Sequence, residues 1–236
     1  MLIVPQNWAE NVAVVRSRIA AAARDAGRDP TQVTLVAVSK AQPLEAVRAV
    51  QALGVQDFGE NYPQEALPKI EALASARANW HFIGQLQSNK TRPIATHFSW
   101  VHGLDRVAIA RRLNEQRPYH APQLHVCLQV KLAEEPGKGG VPPAEAEALA
   151  REVSGLERLR LRGLMCLPPP TTDVPVQRQR FRALRELRDA LNRKGFALDV
   201  LSMGMSDDFE AAIAEGATHV RIGTAIFGPR ATSRQR

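Results

Sequence analysis

Eight short runs of apolar and β-branched residues alternate with segments of helical periodicity, and this rhythm constrains the fold more than any other feature of the chain. The runs fall at Thr34–Ser39, Val55–Phe58, Trp80–Ile83, Trp100–His102, Leu124–Val130, Leu161–Cys166, Val200–Met203 and Val220–Ile222. Their length and residue types are those of buried strands. A helix is predicted ahead of the first run: Asn7 and Glu10 make a capping-box pattern, Val12, Val15, Ile19 and Ala22 recur at helical spacing, and Gly27 closes the segment. Further helical stripes are Leu44, Val47 and Val50 behind Pro43, then Ala66, Ile70 and Leu73, then Val107, Ala110 and Leu113. Leu149 and Val153 precede Gly155, Phe181 to Leu191 precede Gly195, and Phe209 and Ile213 precede Gly216. Pro93 interrupts the segment after the third run, which predicts a short helix there.

Alternating strands and helices imply parallel strands joined by right-handed crossovers. Eight such units in 236 residues fit an α/β architecture, a single (β/α)8 TIM barrel with an extra N-terminal helix. On periodicity alone an open doubly wound sheet stays open as the alternative. One domain over residues 1–230 is expected, followed by a basic tail, residues 231–236, expected to be disordered. PGKGGVPP and CLPPPTTDVP read as long loops, not boundaries.

Composition narrows the class. Hydrophobic residues make up 44% and charged residues 23%, as in ordinary globular domains. No apolar run approaches the roughly 20 residues that cross a bilayer, and the N-terminus has neither a basic region nor a long apolar stretch. A cytoplasmic protein without a membrane partner is expected. Cys127 and Cys166 both sit in apolar runs and read as reduced core thiols. The net charge of +7 invites a nucleic-acid reading, but the arginines are spread along stretches such as RQRFRALRELRDALNRK with acids between them. They read as solvated helix faces, so no nucleic-acid partner is expected.

The unusual residues cluster at strand ends, where barrels of this kind place their chemistry. The first strand run, VTLVAVSK, ends in Lys40. Taken alone, that lysine is either a solvated strand tip or an amine nucleophile at the mouth of an apolar core. The second gives FGENY, with Glu60, Asn61 and Tyr62; the third GQLQSNK; the fourth His102 and Asp105; the fifth Lys131. The seventh gives SMGMSDD, Ser202 to Asp208, and the eighth RIGT, Arg221 to Thr224. Barrels often bind phosphate at strands seven and eight. Ser202, Gly223 and Thr224 are the better candidate ligands, because Asp207 and Asp208 repel an anion placed close to them. Ser206 or Asp207 is expected to cap the following helix. Arg221 lies on an inward-pointing strand, either in a structural ion pair or facing a ligand. His81 and His219 sit in strand-like runs and read as core or rim groups, so no metal is expected. P-loop, dinucleotide, zincin, CxxC and nucleophile-elbow motifs are absent.

Six segments in order, VAVSK, FGENYPQEALPKI, WHFIGQLQSNK, LRGLMCLPPP, SMGMSDDFEAAI and VRIGTAIFG, resemble the pyridoxal phosphate homeostasis protein family, formerly described as proline-synthetase co-transcribed homologues. The resemblance spans nearly the whole chain and implies a barrel similar to the N-terminal domain of alanine racemase. It implies that Lys40 holds pyridoxal 5'-phosphate as a Schiff base, that Ser202, Gly223 and Thr224 cradle the phosphate, that Arg221 faces the pyridine nitrogen and that Asn61 lies near the ring. It places Lys138-Gly139-Gly140 in a loop near the site. The departures, Gln85 and Phe209, leave these assignments untouched. Racemases of this kind use a further C-terminal domain, and this chain runs only eight residues past Gly228. The implied role is therefore cofactor storage or delivery within vitamin B6 homeostasis, with no catalytic residue assigned and apo pyridoxal phosphate enzymes as acceptors. The alternative is a small racemase- or decarboxylase-like enzyme. A monomer is expected, and the roles of Lys90, Lys131 and Lys138 are left open.

Overall fold

A computed structural model describes residues 7–74, 77–133 and 139–229. Eight parallel strands close into a barrel in strict chain order. They are β1 (Thr34–Val38), β2 (Asp57–Glu60), β3 (Asn79–Phe82), β4 (Trp100–Leu104), β5 (Leu124–Gln129), β6 (Leu159–Met165), β7 (Val200–Ser202) and β8 (His219–Ile222). Closure comes from β8 beside β1, with Thr34 opposite His219 and Ala37 opposite Ile222. This settles the choice between barrel and open sheet, which periodicity had left undecided. The registers slip between Val101 and Leu104 and again between Val126 and Cys127, so two walls of the barrel carry irregularities.

The outer ring is α2 (Leu44–Ala52), α3 (Pro63–Ala72), α4 (Thr91–His97), α5 (Val107–Gln116), α6 (Ala146–Ser154), α7 (Val174–Arg193), α8 (Phe209–Ala214) and the single turn α9 (Thr224–Phe227). Helix α4 has only seven residues and carries Pro93 in its first turn, where the missing N–H costs nothing. The extra helix α1 (Trp8–Asp25) starts where the sequence places it. The Asn7 side chain accepts from the Glu10 amide at 3.2 Å and donates to the Glu10 carboxylate at 2.6 Å. Its buried stripe of Val12, Val15, Ile19 and Ala23 packs across α8 and α9, and Asn11 Nδ2 donates to the Ile226 carbonyl at 2.8 Å. The same helix contacts α2, and Arg16 Nη1 donates to the Leu53 carbonyl at 2.8 Å, so α1 ties the last helices of the chain to the first helix of the ring.

Most of the core lies between the strands and their helices. The barrel interior is different. Trp100, Cys127, Met165 and Val200 form a separate small apolar cluster. Around it stand imidazoles: His81 on β3 and His219 on β8 lie 6.1 Å apart, ring centre to ring centre. Those strands are not neighbours, so the rings meet only through the interior. Branched aliphatic side chains usually fill this space; here histidines and a tryptophan do.

Candidate functional site

At the C-terminal ends of the strands opens a cavity of about 220 Å³. Its polar lining includes Lys40, Asn61, Ser206, Arg221, Gly223 and Thr224. Five of the six residues expected to hold a ligand therefore share one cavity; Ser202 does not line it.

Lys40 follows β1 by two residues, and its peptide is held firmly. Ser39 N donates to the Gly59 carbonyl at 3.0 Å, and Ser39 Oγ donates to Glu60 Oε1 at 2.7 Å. Lys69 Nζ, from α3, donates to the Ser39 carbonyl at 2.8 Å and to Glu60 Oε1 at 2.7 Å. Ala41, on the other side of Lys40, sits at φ 59, a left-handed conformation that costs energy for a residue with a Cβ. Its N–H donates to Glu65 Oε2 at 3.0 Å, which helps hold that turn. The chain thus leaves the barrel wall at a fixed point with the Lys40 side chain directed into the cavity.

Strand-end reasoning named Glu60 without giving it a role and passed over its partner Lys69. Glu60 is fully buried, and burial pushes its carboxyl above the usual range while Lys69 and Ser39 pull it back. The signal was present: Lys69 sits on the apolar stripe of α3, between buried Ala66 and the partly buried Ile70. A lysine on a buried stripe needs an anion within reach.

Asn61 continues from β2. Its Oδ1 is buried without a hydrogen-bond partner. The position is fixed by close packing, since a Cβ on Gly84 would stand 2.3 Å from the Asn61 carbonyl. Only glycine lets the β3 loop pass that close.

Arg221, on β8, is 4% exposed. Nη1 donates to Ser202 Oγ at 2.6 Å and Nη2 to the Cys166 carbonyl at 2.9 Å. Among the described residues no carboxylate lies within ion-pair distance of it, so the ion-pair reading is not realised. Burial lowers its pKa, with the Cys166 thiol and the Asp208 carboxylate acting in the opposite sense.

Two expectations at β7 need correction. Ser202 was expected in the phosphate cradle. It is the last residue of β7, fully buried, and its hydroxyl is engaged by Arg221 and by His102 Nδ1 at 2.7 Å. Inward pointing on the strand places it beneath the cavity floor. The hydroxyl that reaches the cavity is Ser206, 3.4 Å from the Ala225 amide. Nor does Ser206 or Asp207 cap α8. That helix starts at Phe209 behind Asp208, whose Oδ1 accepts from the Met205 amide at 2.6 Å and closes a turn over residues 205–208. The turn leaves Ser206 and Asp207 at the cavity wall.

The remaining residues singled out lie further off. Lys131 borders a small recess beside Gln129 and Gly139, where Gln129 Nε2 donates to the Gly139 carbonyl at 2.6 Å. Lys90 belongs to a 3-10 turn over Ser88–Lys90, away from the cavity lining. Lys138 and the tail at 231–236 lie outside the described residues. Tyr62 is 57% exposed and Tyr119 90%, and neither lines the cavity. No group of three or more His, Cys, Asp or Glu side chains suited to a metal occurs among the described residues. No helix among them is long and apolar enough to cross a membrane.

Comparison with known proteins gives this arrangement its class. The family model described as the alanine racemase N-terminal domain matches residues 5–231. A pyridoxal phosphate homeostasis protein from Pseudomonas aeruginosa is 59% identical over 222 residues, covering 94% of this chain and 95% of the relative. One from Escherichia coli is 47% identical over 230 residues, covering 96% and 98%. The chain belongs to the pyridoxal phosphate homeostasis protein family. Among solved structures, PipY of Synechococcus elongatus with pyridoxal phosphate bound superposes with a TM-score of 0.83 at 37% identity, covering 94% of this chain and 100% of that one. Alanine racemase from Corynebacterium glutamicum shares the fold with a TM-score of 0.67 at 17% identity, and this chain matches 62% of it.

Proposed function

We propose that this chain binds pyridoxal 5'-phosphate in the strand-end cavity and serves cofactor storage or delivery in vitamin B6 homeostasis. The observation that carries the reading is the convergence of an amine, a buried guanidinium and a glycine–threonine turn on one cavity of about 220 Å³. The fit is supported by Asn61, whose buried Oδ1 has no partner until a ligand donates to it. The cofactor supplies an aldehyde that condenses with an amine, releasing water.

Each residue then has a task. Lys40 would hold the aldehyde as a Schiff base, its backbone fixed by Lys69 and Glu65. Gly223, Thr224 and Ser206 would take the phosphate, through backbone N–H groups and two hydroxyls, at the turn where β8 gives way to α9. Arg221 would face the pyridine nitrogen. A guanidinium has donors only, so it disfavours protonation of that nitrogen and weakens the ring as an electron sink. That is a reason to read the site as a carrier without turnover. Among the described residues no phenol lines the cavity to act as a second acid–base group from the opposite face. The proposal extends to one domain over residues 1–230, a monomer in the cytoplasm, and apo pyridoxal phosphate enzymes as acceptors.

The test is an absorption spectrum of the purified protein after addition of pyridoxal phosphate, followed by borohydride reduction and peptide mass mapping. A visible band trapped on Lys40 and lost in Lys40→Ala supports the proposal. Absence of any band overturns it. Steady turnover of a racemisable amino acid by the loaded protein favours the enzyme reading.

A further inference from the structure

A line of side chains crosses the barrel interior from one face to the other. Asp57 Oδ1 lies 2.9 Å from His81 Nε2, and His81 Nδ1 lies 2.9 Å from His102 Nε2. His102 Nδ1 lies 2.7 Å from Ser202 Oγ, which accepts from Arg221 Nη1 at 2.6 Å. Arg221 lines the strand-end cavity; Asp57 lines a groove at the opposite, N-terminal face, beside Arg16 and Thr34. His81 and His102 are fully buried.

The chemistry of the two ends fixes the direction of every bond between them. Arginine has no acceptor, so Ser202 accepts from it and its own hydroxyl hydrogen is left for His102 Nδ1. A neutral His102 then carries its proton on Nε2 and donates to His81 Nδ1. A neutral His81 likewise carries its proton on Nε2 and donates to Asp57. An ionised carboxylate only accepts, so the far end demands the same direction. Both ends agree, and no donor meets a donor. The rings are suited to the neutral form: burial lowers the pKa of each, and at His102 the neighbouring rings of His81 and His219 and the Arg221 guanidinium lower it further. Burial is the largest influence on Asp57 and pushes it up, but the hydrogen bonds from His81 and Asn79 and the attraction of His81 and His219 together outweigh it and leave the carboxyl below its usual range.

We propose that Asp57, His81 and His102 are positioning residues that act through Ser202 to hold the Arg221 guanidinium in the cavity. Asp57 is its distant counter-charge, linked by dipoles that all point one way. The chain explains why a buried arginine with no nearby carboxylate is tolerated, and why imidazoles occupy space that aliphatic side chains usually fill. Its consequence for the cofactor rests on the reading that Arg221 faces the ring; the chain itself does not.

The experiment therefore has a ligand-free arm and a loaded arm. In the first, nitrogen-15 imidazole and guanidinium spectra are recorded on the full chain without cofactor. The expected result is Nε2–H tautomers at both His81 and His102, with slowly exchanging Arg221 N–H signals. In Ser202→Ala, His102 Nδ1 loses its donor and its signal moves to the non-bonded position. In Asp57→Leu the Arg221 signals broaden, whereas Asp57→Asn, which keeps an accepting oxygen, retains them. An Nδ1–H tautomer at either ring in the wild type, or Arg221 signals indifferent to Asp57→Leu, overturns the proposal. Should Asp57→Leu fail to fold, Ser202→Ala and the wild-type tautomers still decide it. In the loaded arm, Asp57→Leu is expected to shift the visible band of bound pyridoxal phosphate, although Asp57 lies on the opposite face, and Asp57→Asn to restore it. An unshifted band overturns the influence on the ring. A wild type that binds no pyridoxal phosphate sinks the reading of the cavity instead and leaves the ligand-free arm to judge the chain.

Discussion

Lys69 Nζ donates to the backbone carbonyl of Ser39 at 2.8 Å, so an ammonium buried on α3 grips the peptide that carries Lys40 into the cavity. The same nitrogen pairs with Glu60 at 2.7 Å, and the two side chains are 8% and 0% exposed. Burying such a pair is a weak source of stability, but removing one partner leaves a desolvated charge. Lys69→Met is therefore expected to cost about 3 kcal/mol at neutral pH, measured by denaturant unfolding. Replacing both partners, Lys69→Met with Glu60→Leu, is expected to recover most of that loss. If the single substitution is neutral, the pair does not anchor this end of β1.

The two serines of SMGMS make a second prediction because they differ in place. Ser206 touches the cavity and Ser202 lies beneath it. Ser206→Ala is expected to weaken pyridoxal phosphate binding by about fivefold, the worth of one hydrogen bond of about 1 kcal/mol, while leaving the unfolding midpoint unchanged. Ser202→Ala leaves a buried guanidinium and His102 each short of a partner, so it is expected to lower the midpoint. Equal effects of the two substitutions on binding and on stability would contradict this division.

Cys127 and Cys166 are fully buried, and burial pushes both thiols up to about 12. Thiolates are the reactive form, so neither residue is expected to react with a thiol reagent in the native protein at neutral pH. Both should titrate at once in denaturant. Rapid modification of either in the native state would show that the barrel interior opens readily.

Much of this was legible from the chain because a (β/α)8 barrel writes its period into the sequence. All eight strand runs and the short helix at Pro93 follow from local pattern. Strand-end position was enough to bring Lys40, Asn61, Arg221, Gly223 and Thr224 to one cavity. What stayed hidden depends on distances between strands far apart in sequence. Whether Ser202 or Ser206 reaches the cavity turns on where β7 stops, a matter of one or two residues. The closure of β8 on β1 decides that His81 and His219 face each other, and no stretch of sequence contains both.

The histidines in the barrel give the protein a characteristic response to acid. Burial lowers all four of His81, His102, His125 and His219, to about 4 at His125 and about 3 at His219. In the unfolded chain each returns to the ordinary value near 6.5. Between the folded and unfolded values the unfolded state binds more protons, so stability falls as pH falls. Above about 6.5 the histidines exert no pull. Below it each contributes a slope approaching 1.4 kcal/mol per pH unit, and the slopes add while the folded rings stay neutral. Denaturant unfolding at a series of pH values is expected to show stability declining from about pH 6.5 downward, well before carboxylates titrate. His219→Gln, which keeps a polar side chain on β8 but cannot be protonated, should make that decline shallower by about one group's slope. A wild-type profile flat from neutrality down to about pH 5 would mean that the rings take up protons in the folded barrel, and that its interior is not the closed environment described above.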